Sequence, residues 1–201
     1  YTGSTPDVEL LAAADAGLRS ETDVRSQIGR LMQTERARTH FGEFAAQWFN
    51  TDAVKKTNKS ESLFPDYTDE VKQAMAQEVR EIFKYAMFDG SFSDLYDADF
   101  TMANKTLADF YGLSGPTGDE FVKTPAPDRG GVLLSGAFLS AWTLPEETKL
   151  IMRGVRVRER MMCQHLPAFP SNIDLAAVRL AQQSVVDDVK AENDGLIRQA
   201  H

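Results

Sequence analysis

The chain has 201 residues, with 22 Lys and Arg against 30 Asp and Glu and a formal charge of −8; its isoelectric point is near 4.9. With 42% hydrophobic and 26% charged residues it reads as a soluble globular chain of one large or two small domains, long enough to bury a core without staples. The acidity argues against nucleic acid as a partner, because phosphate binding needs a clustered cationic surface. No stretch approaches the roughly 18 to 20 apolar residues of a membrane span.

Asp7 opens an apolar run, Val8, Leu10, Leu11 and Ala12 to Ala14, that Gly17 closes as a helix breaker. Ser20 with Asp23 three residues on approximates a capping box for a second helix, whose stripe is Val24, Ile28, Leu31 and Met32. From Thr34 a third helix carries Phe41, Phe44, Ala45, Trp48 and Phe49 on one face, the strongest core signal in the chain. Thr51 to Ser62, with Lys55, Lys56 and Lys59, has no periodicity and predicts an exposed loop.

A long helix is expected from about Thr68 to Phe88. Val71, Met75, Val79, Ile82, Phe83 and Ala86 line its core side, and Glu70, Lys72, Gln77, Glu78, Arg80, Glu81 and Lys84 the other; Asp89-Gly90 ends it. Ser93 and Thr101 are candidate N-caps of two short helices, the second carrying Leu107, Phe110 and Tyr111 up to Gly112. The Pro- and Gly-bearing stretch Leu113 to Arg129 predicts a surface connection between subdomains. Gly130 to Leu139 is short and apolar, readable as a buried helix or as a strand. Thr143 to Pro145 breaks it, and a helix from about Glu146 to Leu166 carries Lys149, Arg153, Arg156, Arg158 and Arg160. Pro167 and Pro170 end that helix before a last amphipathic stretch from about Leu175 to His201. The expected fold is mainly α, an irregular multi-helix bundle with a smaller second helical subdomain. Its modules are residues 1–34, 35–127 and 128–201.

Motifs for a nucleophile elbow, a phosphate loop, a dinucleotide fold or a zinc protease are absent from the sequence. His40, His165 and His201 are too far apart for a local metal-ligand spacing. Asp89, Asp94, Asp97 and Asp99 fail as a calcium loop, because the turn position holds Asp94 and the bidentate position Phe100; a solvated surface is the plain reading. Arg153, Arg156 and Arg160 fall at i, i+3 and i+7, so one helical face projects three guanidinium groups. Either they pair internally with the acidic excess, or they dock an anionic partner such as cofactor carboxylates. The single cysteine, Cys163, has no partner within the chain and reads as a buried small hydrophobe or as one half of a pairing outside residues 1–201. His165, two residues on, points to another helical face and so cannot serve it as a base. The start at Tyr1, without an initiating Met or a leader pattern, reads either as a chain whose leader was removed or, the favoured expectation, as an internal piece of a longer one.

Several segments together resemble a known family. Ser4-Thr5-Pro6-Asp7 before Glu9-Leu10-Leu11, with Ala14-x-Ala16-Gly17-Leu18, is similar to one of its modules, and Phe44-Ala45-Ala46-Gln47-Trp48 to the next. Phe64-Pro65-Asp66, Asp99-Phe100-Thr101-Met102-Ala103-Asn104 and Leu107-Ala108-x-Phe110-Tyr111-Gly112-Leu113 resemble the remaining signatures of that module. Arg129-Gly130-Gly131-Val132-Leu133, Arg153-Gly154 and Leu166-Pro167 before Pro170 resemble a third. In this order they resemble the planctomycete-cytochrome-associated multidomain proteins, a bacterial family built from consecutive domains of unknown function.

That resemblance implies an exported, periplasmic or extracellular protein with a c-type haem motif, Cys-x-x-Cys-His, shortly after a helix that ends in a His; His201 would be that His. The motif itself is absent from residues 1–201, and Lys149-Leu150-Ile151-Met152 stands where the family has a Thr-Ser-Pro run. Any haem c would therefore be bound by residues outside this chain, with His201 or His165 as an axial or supporting group and Arg153, Arg156 and Arg160 meeting its propionates. Three functions follow as expectations. The first is the helical part of an exported c-type cytochrome working in electron transfer or haem-dependent oxidoreduction with a redox partner. The second is a non-catalytic scaffold subunit of an envelope assembly, whose basic face and Lys55 to Lys59 loop meet acidic proteins. The third is an enzyme on an envelope polysaccharide using Asp94, Asp97 and Asp99.

Overall fold

A computed structural model describes residues 2–146 and 148–167. The chain divides into two compact units, Tyr1–Gln164 and His165–His201. The expected last helix and His201 lie outside the described residues.

The first unit is mainly α-helical, and local chemistry starts most of its helices. In α1 (Val8–Asp15) Asp7 accepts from Leu10 N, and in α2 (Glu21–Met32) Ser20 and Asp23 complete the capping box. Thr34 caps α3 (Glu35–Phe49) through Ala37 N, and Thr68 caps α4 (Asp69–Phe88) through Val71 N. The connection after α3 begins as a 3₁₀ turn, Thr51–Lys56, with Thr51 and Val54 buried, so this part of the expected exposed loop belongs to the core. After α4, Ser91 rather than Ser93 caps the 3₁₀ turn Phe92–Leu95, in a capping box with Asp94.

Thr101 caps no helix. It lies in β1 (Phe100–Ala103), and Asn104 caps α5 (Lys105–Tyr111). β1 pairs antiparallel with β2 (Val122–Pro125), opposing Thr101 to Thr124, so the expected surface connection contributes a strand. Four-residue strands are too short for a period-two signal to stand out. Gly130 to Leu139 resolves as helix, with a 3₁₀ turn Val132–Leu134 followed by α6 (Gly136–Ser140). The helix expected over 146–166 is shorter. It comprises α7 (Leu150–Arg156), which has no side-chain cap, and the π turn Val157–Met161. Cys163 then adopts φ 51°, in the left-handed region.

α4 is the central pillar, in contact with α3, the first 3₁₀ turn, β1, α5 and α6. Its predicted stripe, Val71, Met75, Val79, Ile82, Phe83 and Ala86, is buried throughout. The facing surface of α3 differs from the expected aromatic band: Ala37, Gly42, Ala45, Ala46 and Phe49 are buried, Phe41 and Trp48 are half-buried, and Phe44 is 47% exposed. Small residues let the two helix backbones approach, and the larger rings close the flanks of the contact. Phe44 and Trp48 meet Phe83 at 5.9 and 6.3 Å, and Phe41 meets Phe88 at 5.7 Å between ring centroids. α1 and α2 bury no residue; a fork from Arg30 to Asp7, at 2.7 and 2.8 Å, joins them.

Candidate functional site

Sequence reasoning put Glu78 on the solvent side of α4, yet it is wholly buried. The spacing Val71, Met75, Glu78, Ile82 runs i, i+4, i+7, i+11 along the apolar stripe, and that was the legible signal for it. Its carboxyl collects donors from three other parts of the fold. Thr101 Oγ1 in β1 donates at 2.6 Å, Tyr111 Oη in α5 at 2.8 Å and the Gly136 backbone N–H of α6 at 3.3 Å. Gly136 N–H also donates to Tyr111 Oη at 2.8 Å, and the Arg129 guanidinium stacks 3.9 Å over the Tyr111 ring. A Cβ on Gly136 would run into Tyr111 Oη and Met75, so only glycine lets this backbone reach the carboxyl.

Burial pushes the Glu78 carboxyl up to about 7, against the opposing pull of Thr101, Tyr111, Gly136 and the Arg129 charge. Tyr111 is also driven well above its ordinary range, first by burial and then by the neighbouring carboxyl. A carboxyl raised toward neutrality is what acid–base catalysis needs. Here it is enclosed by protein and its donors come from β1, α5 and α6, so its chemistry is cohesion between these elements and α4.

Two further side chains assigned to the outer face of α4 are buried, Lys72 and Arg80. Arg80 forks onto Glu43 of α3 at 2.8 and 3.0 Å and onto Asp52 at 2.7 and 3.1 Å. The guanidinium holds the Asp52 carboxyl down to about 2, and the two carboxylates raise Arg80 above its ordinary range. This clamp seats α3 and the first 3₁₀ turn on α4.

The predicted cationic face is partly spent inside the fold. Arg156 pairs with Glu159 at 2.8 Å and lies 4.2 Å over the Trp142 ring. Arg160 donates to the Trp48 carbonyl at 3.3 Å, and its own carbonyl accepts from Trp48 Nε1 at 2.7 Å. Arg153 donates to Thr148 Oγ1 at 2.8 Å. The Nε atoms of Arg153 and Arg156 are buried and have no partner among the described residues. His165 is exposed in the second unit, and His201 lies outside the described residues.

Cys163 is exposed, not the buried hydrophobe expected. In the lysine loop, Lys55 pairs with Asp52 at 2.7 Å, and Lys59 donates to the Leu144 carbonyl at 2.9 Å. Of the acidic cluster, Asp89 is forked by Arg38 at 2.7 and 2.9 Å and Asp94 accepts from Ser91 N at 2.9 Å. Among the described residues no group of three or more His, Cys, Asp or Glu is arranged to hold a metal ion.

The fold and these centres define a helical protein whose buried ionisable groups bind its own elements together. A model of the PSD4 family, proteins of unknown function (DUF1592), matches residues 1–113, and one of PSCyt3, also proteins of unknown function (DUF1588), matches residues 129–194. The chain therefore belongs to the DUF1592 family, within the planctomycete-cytochrome-associated domains of unknown function. No curated protein and no solved structure matches it.

Proposed function

We propose that residues 1–201 are the helical part of an exported c-type-cytochrome-like protein acting in electron transfer or haem-dependent oxidoreduction, in the periplasm or outside the cell. The observation that carries this reading is the order of the two family matches, a PSD4 stretch followed by a PSCyt3 stretch. A c-type haem supplies one-electron chemistry at its iron and is anchored through two thiols. The chain has one thiol, Cys163, so its residues do not fit covalent attachment, and such a group would be held from outside residues 1–201.

What the chain offers such a neighbour is recognition of oxyanions. Arg153 donates to the Thr148 hydroxyl and makes no ion pair among the described residues, and charge-assisted bonds to carboxylates are the strong ones. The test is Arg153→Ala in the native polypeptide. Haem retention or redox-partner binding falls if the face serves that role, and both at wild-type level would reject it.

A second reading, a non-catalytic scaffold subunit of an envelope assembly, is favoured by one surface feature. Leu150 and Ile151 on α7 are 68% and 77% exposed beside Arg153, an apolar pair next to a cation of the kind that interfaces cover. A haem-free native polypeptide that purifies with acidic proteins would support it over the first.

A further inference from the structure

An open groove of about 620 Å³ runs beside the first half of α4. One wall carries Gln73 and Gln77, a helical turn apart; Asn104, Thr106 and Phe121 also line it, and Ala74 adds no bulk beyond a methyl. Phe121 is half-buried and packs against the core, which fixes its ring. Lys55, Lys72, Asp69 and Glu70 line the groove too, two cations and two carboxylates.

Three of these four charges are ion-paired within the protein. Lys72 pairs with Asp69 at 2.6 Å and Lys55 with Asp52 at 2.7 Å. The Glu70 carboxylate is held below its ordinary range by its own backbone N–H and by Thr68. The neutral groups are less committed. Gln77 Nε2 donates to Glu81 at 2.7 Å, leaving Oε1 without a bond among the described residues, and Asn104 Oδ1 accepts from Leu107 N, leaving Nδ2. The Gln73 amide and the Thr106 hydroxyl make no hydrogen bond among the described residues.

The ligand class follows by elimination. An anion finds both lysines already paired, a cation finds only the single exposed carboxylate of Glu70, and an apolar ligand would strand the amides without partners. A neutral polyhydroxylated chain meets both features, because side-chain amides can donate to and accept from vicinal hydroxyls while a sugar C–H face rests on a fixed aromatic ring. The groove volume lies within the range usual for small-ligand sites, roughly 300–1,000 Å³, and its open form admits a short run of a longer chain.

We propose that this groove is a binding site for a neutral oligosaccharide, with Gln73, Gln77, Asn104 and Thr106 as its hydrogen-bonding groups and Phe121 as its stacking platform. The site is independent of any haem. The test is an NMR titration of the chain of residues 1–201 with cellohexaose, hexa-N-acetylchitohexaose and mannohexaose, each taken to the order of 10 mM to cover millimolar affinity.

At least one sugar should give saturable shifts centred on Gln73, Gln77, Asn104 and Thr106. Gln73→Ala and Phe121→Ala should each weaken it by about ten-fold or more, a loss the size of one good contact. Gln73 is exposed, so its variant should keep the wild-type melting temperature and decides the matter if Phe121→Ala fails to fold. No shift in the groove with any of the three sugars overturns the proposal. So does unchanged affinity in Gln73→Ala, or tighter binding at the same resonances by a neutral extended peptide.

Discussion

A carboxyl sealed from water yet facing three donors is caught between opposing effects, and at Glu78 burial prevails, raising it from 4.5 to about 7. Between those values the native state keeps a proton that the unfolded chain releases, so stability falls as pH rises across the window. The full shift corresponds to roughly 3 kcal/mol lost by pH 7.5, at about 1.4 kcal/mol per unit. Urea unfolding at pH 5, 6, 7 and 7.5 should show that decline in the wild type and a much flatter profile in Glu78→Gln. An equal slope in both proteins would place the titration elsewhere. Asp52 works in the opposite sense. Its carboxyl, held at about 2, contributes stability that is present above about 3.8 and lost as pH falls toward 2, so the two windows do not overlap.

At the scale of elements, the link most open to experiment joins α3 to the π turn 112 residues further on, through the reciprocal bonds of Trp48 and Arg160. Trp48→Phe keeps a ring against Phe83 and removes the indole N–H, a loss of about 1 kcal/mol. Its expected signature is faster hydrogen exchange over residues 150–161 with α4 unchanged, whereas uniform acceleration would mean that the bond supports the whole unit.

What could be read from the sequence at this scale was periodic or capped: the α4 stripe, the capping box at Ser20 and the approximate starts of α3 and α4 at Thr34 and Thr68 rest on spacing and composition. Four-residue strands do not announce themselves in that way, and for Glu78 spacing along the stripe signals burial but not the partners that satisfy it. Thr101 has the composition of an N-cap, but Asn104 takes the cap and Thr101 is drawn into β1, where it reaches Glu78. Glu78 and Arg80 were assigned outward because charge usually faces water. Their partners come from α3, the first 3₁₀ turn, β1, α5 and α6, up to 58 residues away, and no local pattern encodes such a distance. The Arg153, Arg156 and Arg160 face was legible as a spacing, while its internal commitments to Trp142, Glu159 and Trp48 depend on the tertiary fold.

For the whole molecule, the ordered signatures that run through the chain agree with the two family matches, which together span most of it. Among the described residues no helix is long and apolar enough to cross a membrane. The ionisable groups buried in the first unit serve its architecture, and the function proposed above assigns redox chemistry to a group carried outside residues 1–201. The most direct test is an intact mass with a reduced-minus-oxidised visible spectrum on the protein from its native source. The account predicts a mass well above 22.3 kDa and sharp c-type α and β bands. A mass matching 201 residues with a featureless visible spectrum would contradict it.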